Sequence, residues 1–130
     1  MTTARQLQRF VATLRAEEHY DSDEGRWTFQ SGGSCCCCTD AATKVTKAFG
    51  GRVVGCAASK NRSALVGTAH SGGHDFALVE NRFIVDYWAF CVAGLILKAV
   101  LDLNRQEDRE LSRRYYGNED SWEDVPVANE

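Results

Sequence analysis

The stretch Gly73-His-Asp-Phe-Ala-Leu-Val-Glu-Asn-Arg-Phe-Ile-Val-Asp86 decides the fold of this chain. His74 to Val79 and Phe83 to Tyr87 are rich in β-branched and aromatic residues, and they flank the polar triplet Glu80-Asn81-Arg82, which predicts an antiparallel hairpin. Its register carries a consequence. With a two-residue loop, Glu80-Asn81, Asp86 faces Asp75 and points away from His74. A three-residue loop or a bulge instead pairs Asp86 with Phe76 and brings it to the His74 face. Any chemistry that uses His74 and Asp86 together requires the second register.

Upstream of the hairpin, Arg52 to Ala58 and Ala64 to Thr68 read as short strands joined by the polar turn Ser59-Lys60-Asn61-Arg62-Ser63, with His70-Ser71-Gly72-Gly73 as a loop. Further back, Cys38, Ala41, Ala42, Val45, Ala48 and Phe49 follow the helical period, and Gly50-Gly51 supplies a left-handed stop. Leu7, Phe10, Val11 and Leu14 predict a first amphipathic helix over Thr3 to Glu18. Downstream, Phe90, Ala93, Gly94, Leu97 and Leu101 keep a helical phase, which predicts a helix from about Ala93 onward. The expected fold is α+β: an antiparallel sheet of about four strands on a central, buried helix beginning near Cys35, with N- and C-terminal helices flanking it. Residues 1–116 form one domain. Gly117 to Glu130 carries acids, no base and the one proline, Pro126, and is expected as a mobile tail.

The chain has 130 residues, 44% of them apolar, and 15 basic against 18 acidic side chains. A domain of this size buries roughly two thirds of its unfolded surface and needs no metal or disulfide to hold it together. No basic cluster is present of the kind that phosphate neutralisation requires, so nucleic acid is not an expected partner. The longest apolar stretch, Tyr87 to Leu101, is interrupted by Lys98 and falls short of the ~20 residues of a bilayer span, so no membrane partner is expected. Met1 to Glu18 has no continuous apolar core of a secretory signal. The expected location is the cytoplasm, or delivery without a classical signal peptide. There thiols stay reduced, and the six cysteines do not read as a disulfide framework.

The segment Gln30-Ser-Gly-Gly-Ser34-Cys35 puts a cysteine where a glycine-rich loop becomes a helix. In a first turn the helix dipole and unpaired N–H groups favour thiolate over thiol. The glycines admit close backbone approach, and Gln30 can lend its side-chain amide to an oxyanion hole. A thiolate nucleophile needs a base, and the base an orienting group. Of the three histidines, His19 lies among charges at a helix end, His70 lies in a loop, and His74 opens a strand whose partner strand ends in Asp86. A thiolate metal site from Cys35, Cys38, Cys56 and Cys91 is the competing reading. Only Cys35 and Cys38 have metal-ligand spacing, so neither metal nor other cofactor is expected.

The ordered set of Gly33-Ser34-Cys35 opening a helix, Gly50-Gly51, a strand, Gly73-His74-Asp75-Phe76-Ala77-Leu78-Val79 and Arg82-Phe83-Ile84-Val85-Asp86 resembles the papain-like and transglutaminase-like cysteine hydrolases. The resemblance covers about Gln30 to Asp86. Small bacterial toxins, effector proteases and deamidases belong to that superfamily. It implies a papain-like fold, with Cys35 as nucleophile, His74 as base, Asp86 as orienting acid and Gln30 as oxyanion donor. Cys36 stands where papain-type enzymes have tryptophan, and the acid is an aspartate, as in the transglutaminase-like and effector branches. Gln30 to Cys36 has the six-residue papain spacing, so Cys36 stays open as the nucleophile. On this reading His74 Nδ1–H donates to Asp86 while Nε2 takes the Cys35 proton. The thiolate attacks an amide or thioester of a protein or peptide substrate, as in a peptidase, deamidase or amidase. The alternative is a non-catalytic binding module on the same fold, which has no need of all three residues.

Overall fold

The computed structural model describes residues 2–13, 20–21, 26–27, 37–57, 73–92, 96 and 98–126. Two helices come first in the packing: α1, Ala4–Thr13, and α2, Cys37–Phe49. Two short strands, β1 (Tyr20–Asp21) and β2 (Arg26–Trp27), pair with each other between them. The main sheet is built from β3 (Arg52–Ala57), β4 (Gly73–Val79), β5 (Phe83–Val85), β6 (Val100–Asp102) and β7 (Glu123–Asp124). Its order is β6-β5-β4-β3-β7, and every neighbouring pair is antiparallel. With α3, Gln106–Tyr116, the architecture is α+β.

The hairpin register is the one that joins His74 to Asp86. Val79 pairs with Phe83, Leu78 with Ile84 and Ala77 with Val85, leaving Glu80-Asn81-Arg82 as a three-residue loop. Glu80 and Asn81 turn the chain in the left-handed region, with φ of 56° and 51°, and Arg82 N–H closes the turn on the Val79 carbonyl. Continued by one step, the ladder sets Asp86 opposite Phe76. His74, Phe76 and Leu78 then share one face of β4, because side chains alternate along a strand.

Helix α2 lies against β4 and β3. Cys38, Ala41, Ala42 and Val45 form its buried stripe, which is the i, i+3, i+4, i+7 spacing of one helix face. The stop after it uses Gly50 and Gly51, with φ of 81° and 93°. At Gly51 a Cβ would come 2.4 Å from the Leu78 carbonyl oxygen, so only glycine lets the chain pass this close to β4.

Two expectations need correction. The run predicted as a helix from about Ala93 is at Val100–Asp102 a strand, β6, which completes the edge of β5, and helix α3 begins only at Gln106. Edge pairing outweighs the local helical phase here, because β5 would otherwise leave its backbone groups unpaired. The buried Asp108 carboxylate secures the junction, accepting from the Asp102 N–H at 2.8 Å and from Lys98 Nζ at 2.7 Å. The acidic segment expected as a mobile tail instead docks through residue 126. It makes one 3₁₀ turn, Glu119–Ser121, and then adds β7 to the free edge of β3, with Val125 N–H donating to the Val53 carbonyl. The predicted strand Ala64 to Thr68 lies outside the described residues, as does the end of the first helix beyond Thr13. No helix among the described residues is long and apolar enough to cross a membrane.

Candidate active site

Asp86 stands just past the end of β5 and caps the short π-helical turn Trp88–Val92 that follows. Its Oδ1 accepts the Ala89 N–H at 3.0 Å. Its Oδ2 takes two donors, His74 Nε2 at 2.6 Å and the Tyr116 hydroxyl at 2.8 Å. Three donors fix the orientation of this carboxylate. Asp86 and His74 are each only 3% exposed. The His74 ring lies between aromatic neighbours, with Trp88 at 5.3 Å and Tyr116 at 6.4 Å between centroids.

On its other side the imidazole acts on the Cys38 thiol, which is drawn down by side-chain hydrogen bonding and charge from His74 and by the Asp75 backbone N–H. Nε2, the nitrogen expected to take the thiol proton, is the one engaged by Asp86. This is the reverse of the orientation expected from the sequence. Cys38 is the second residue of α2, in the turn where N–H groups have no partner within the helix and the dipole favours negative charge.

The electrostatics run in one direction. Burial alone would lower the His74 pKa, but the charge and hydrogen bond of Asp86, joined by those of Cys38, raise it to about 10. Burial alone would raise the Cys38 thiol, and the His74 hydrogen bond and charge together with the Asp75 N–H bring it below its ordinary value. Both shifts favour thiolate and imidazolium over the neutral pair. Burial and the Asp86 charge push Tyr116 well above the usual phenol value, so it donates as a neutral hydroxyl. Cys56 behaves oppositely to Cys38. Its thiol donates to the Tyr116 carbonyl at 3.0 Å, and burial raises its pKa to about 11.

Of the residues singled out from the sequence, the structure brings His74 and Asp86 together. Gln30, Cys35, Cys36 and His70 lie outside the described residues. Among the described residues, the cysteine beside His74 is Cys38. Neither Tyr116 nor Asp75 reads as a site residue from the sequence. Nothing local marks a tyrosine at a helix end thirty residues from its partner, whereas Asp75, adjacent to His74, was within reach of it. Among the described residues no group of three or more His, Cys, Asp or Glu side chains is arranged to hold a metal ion. Comparisons with protein-family models, with curated proteins and with solved structures find no match to this chain.

Proposed function

We propose that the protein is a cysteine hydrolase or acyltransferase acting on an amide or thioester of a protein or peptide, with Cys38 as nucleophile, His74 as acid and base, and Asp86 as the orienting group. The observation that carries this reading is the alignment of Cys38, His74 and Asp86, in which a first-turn thiol is drawn below its ordinary pKa by a buried imidazole whose Nε2 sits 2.6 Å from a carboxylate. A helix bearing the nucleophile, packed on an antiparallel sheet whose neighbouring strands supply histidine and acid, supports a papain-like arrangement.

In the reaction the Cys38 thiolate adds to the substrate carbonyl carbon, forming a C–S bond and moving the π electron pair onto oxygen. The Cys38 N–H, in the first turn of α2, is the candidate donor to that oxyanion. Collapse of the intermediate breaks the C–N or C–S bond to the leaving group, which takes its proton from His74 Nδ1. Neutral His74 then accepts a proton from water or from an incoming amine as that nucleophile attacks the acyl-enzyme, which returns the thiolate and imidazolium. Asp86 holds the ring and stabilises its positive charge throughout.

Iodoacetamide labelling at about pH 6, mapped by peptide mass spectrometry, tests the assignment. A thiolate held by His74 reacts well below the free-cysteine pKa of about 8.5. Cys38 is expected to label fastest of the six cysteines and to lose that advantage in His74→Ala. Labelling of Cys38 no faster than a free thiol at that pH would overturn the proposal.

A further inference from the structure

Beside the Cys38 sulfur lies a carboxylate that the three-residue chain does not use. Asp75 follows His74 on β4 and offers its backbone N–H to Cys38, while its half-buried side chain accepts from Thr39 Oγ1 at 2.6 Å through Oδ2. Thr39 is the residue after Cys38, so nucleophile and carboxylate are tied to one helix turn. Across the ladder from Asp75 is Gly55. A Cβ there would sit 3.0 Å from Asp75 Oδ1 and 3.1 Å from Val125 Cγ2, so the glycine leaves the carboxylate its space. No lysine or arginine among the described residues forms an ion pair with Asp75. The Asp75 charge acts on the Cys38 thiol in the sense opposite to His74, raising its pKa rather than lowering it.

We infer that Asp75 makes this a site for cationic substrates, in which the attacked carbonyl lies next to a lysine, an arginine or another protonated amine. The inference rests on Cys38 being the nucleophile. Before substrate arrives, a carboxylate beside the sulfur opposes thiolate formation, since like charges disfavour each other. A bound cation reverses that opposition and gains attraction from the same carboxylate. At about 5 Å in a partly shielded site, the preference for a cation over an anion amounts to a factor of ten or more. An acidic substrate meets the opposite field.

Alkylation with reagents of different charge reads this selectivity without a known substrate. Cys38 is treated with iodoacetate, iodoacetamide and 2-bromoethyltrimethylammonium at low salt, and each rate is divided by that of free cysteine with the same reagent. In every case the thiolate displaces halide. The cationic reagent is expected to be favoured over iodoacetate by about tenfold or more, with iodoacetamide between them. In Asp75→Asn the ratio should fall several-fold. If that variant does not fold, added salt serves on the wild type, because screening should compress the same ratio. Rapid iodoacetamide labelling of Cys38 with a cation-to-anion ratio equal to that of free cysteine overturns this inference alone. Absence of rapid iodoacetamide labelling overturns the hydrolase reading, and this one with it.

Discussion

Replacing Cys38 by serine reveals where the proton of the Cys38–His74 pair resides, through the pH dependence of stability. His74 has its pKa raised to about 10 in the folded protein, against roughly 6.5 in an unfolded chain. Its contribution is complete below about pH 6.5 and is lost as pH climbs toward the folded value. Cys38 is lowered, so its contribution is complete above the ordinary thiol pKa and is lost as pH falls through the folded one. In the wild type the two trends cancel between about pH 6.5 and 8.5, where folded and unfolded chains bind the same number of protons. A plateau results, with stability falling on either side of it. The plateau alone does not locate the proton, because a neutral thiol and neutral imidazole bind that same number.

Cys38→Ser separates the two cases. With no thiol to titrate, a still-charged His74 holds one proton more than the unfolded chain, so stability falls by about 1.4 kcal/mol per pH unit above pH 6.5. Asp86 is the strongest of the groups that raise His74, and it remains in the variant. Between about pH 7 and pH 8.5 the loss comes to about 2 kcal/mol. Urea unfolding of both proteins across that interval measures it, with the wild type flat and the variant sloping. A variant as flat as the wild type would mean that Asp86 alone does not hold His74 charged, and the account of Asp86 as the main cause of the raised His74 pKa would fail.

Two further substitutions test the frame around the site. Tyr116→Phe removes one of two donors to Asp86 Oδ2 and should cost about 1.5–3 kcal/mol, the range for hydrogen bonds to charged groups; a cost below about 0.5 kcal/mol in denaturant titration would show that Tyr116 does not hold the carboxylate. Gly51→Ala sets a Cβ 2.4 Å from the Leu78 carbonyl oxygen and should cost more than about 2 kcal/mol. Gly50→Ala, also at positive φ but with nothing within 4 Å, should cost about 1 kcal/mol. Equal losses at the two glycines would remove close approach to β4 as the explanation.

The sheet was legible where side-chain pattern and turn chemistry agreed. The β4–β5 hairpin needed only the alternating run from His74 to Val85 and a polar triplet, and the demand that Asp86 share a face with His74 selected the three-residue loop found at Glu80 to Arg82. Strands β6 and β7 were not legible. Val100-Leu101-Asp102 falls in the phase of a helix, and Glu123-Asp124 has neither β-branched nor aromatic residues. Each becomes a strand because the sheet has an edge to fill, at β5 and at β3 respectively. The signals for β7 are Trp122, whose indole packs edge-on to Phe76 at 5.1 Å and donates to the Tyr116 carbonyl at 2.9 Å, and Val125, which bonds to β3. A composition argument averages such anchors away.

The cysteine run shows what distinguishes one thiol near the start of α2 from its neighbours. Helix-dipole and loop arguments apply to any thiol near the start of α2 and do not rank four adjacent ones. Helix phase does rank them. Ala41, Ala42 and Val45 are at most 3% exposed, and at about 100° per residue Cys38 stands directly above them on the inward face, three, four and seven positions back. That stripe was readable from the sequence, and it already contained Cys38. The inward face lies against β4, the strand that carries His74, so a thiol in the first turn and in phase with the buried stripe is directed toward the sheet and the imidazole. The glycine-rich segment drew attention to Cys35, whereas the placement of Cys38 follows from the packing of α2. A thiol on a buried face is favoured as the anion where a partner from the element it packs on meets its charge, and for Cys38 that partner is His74.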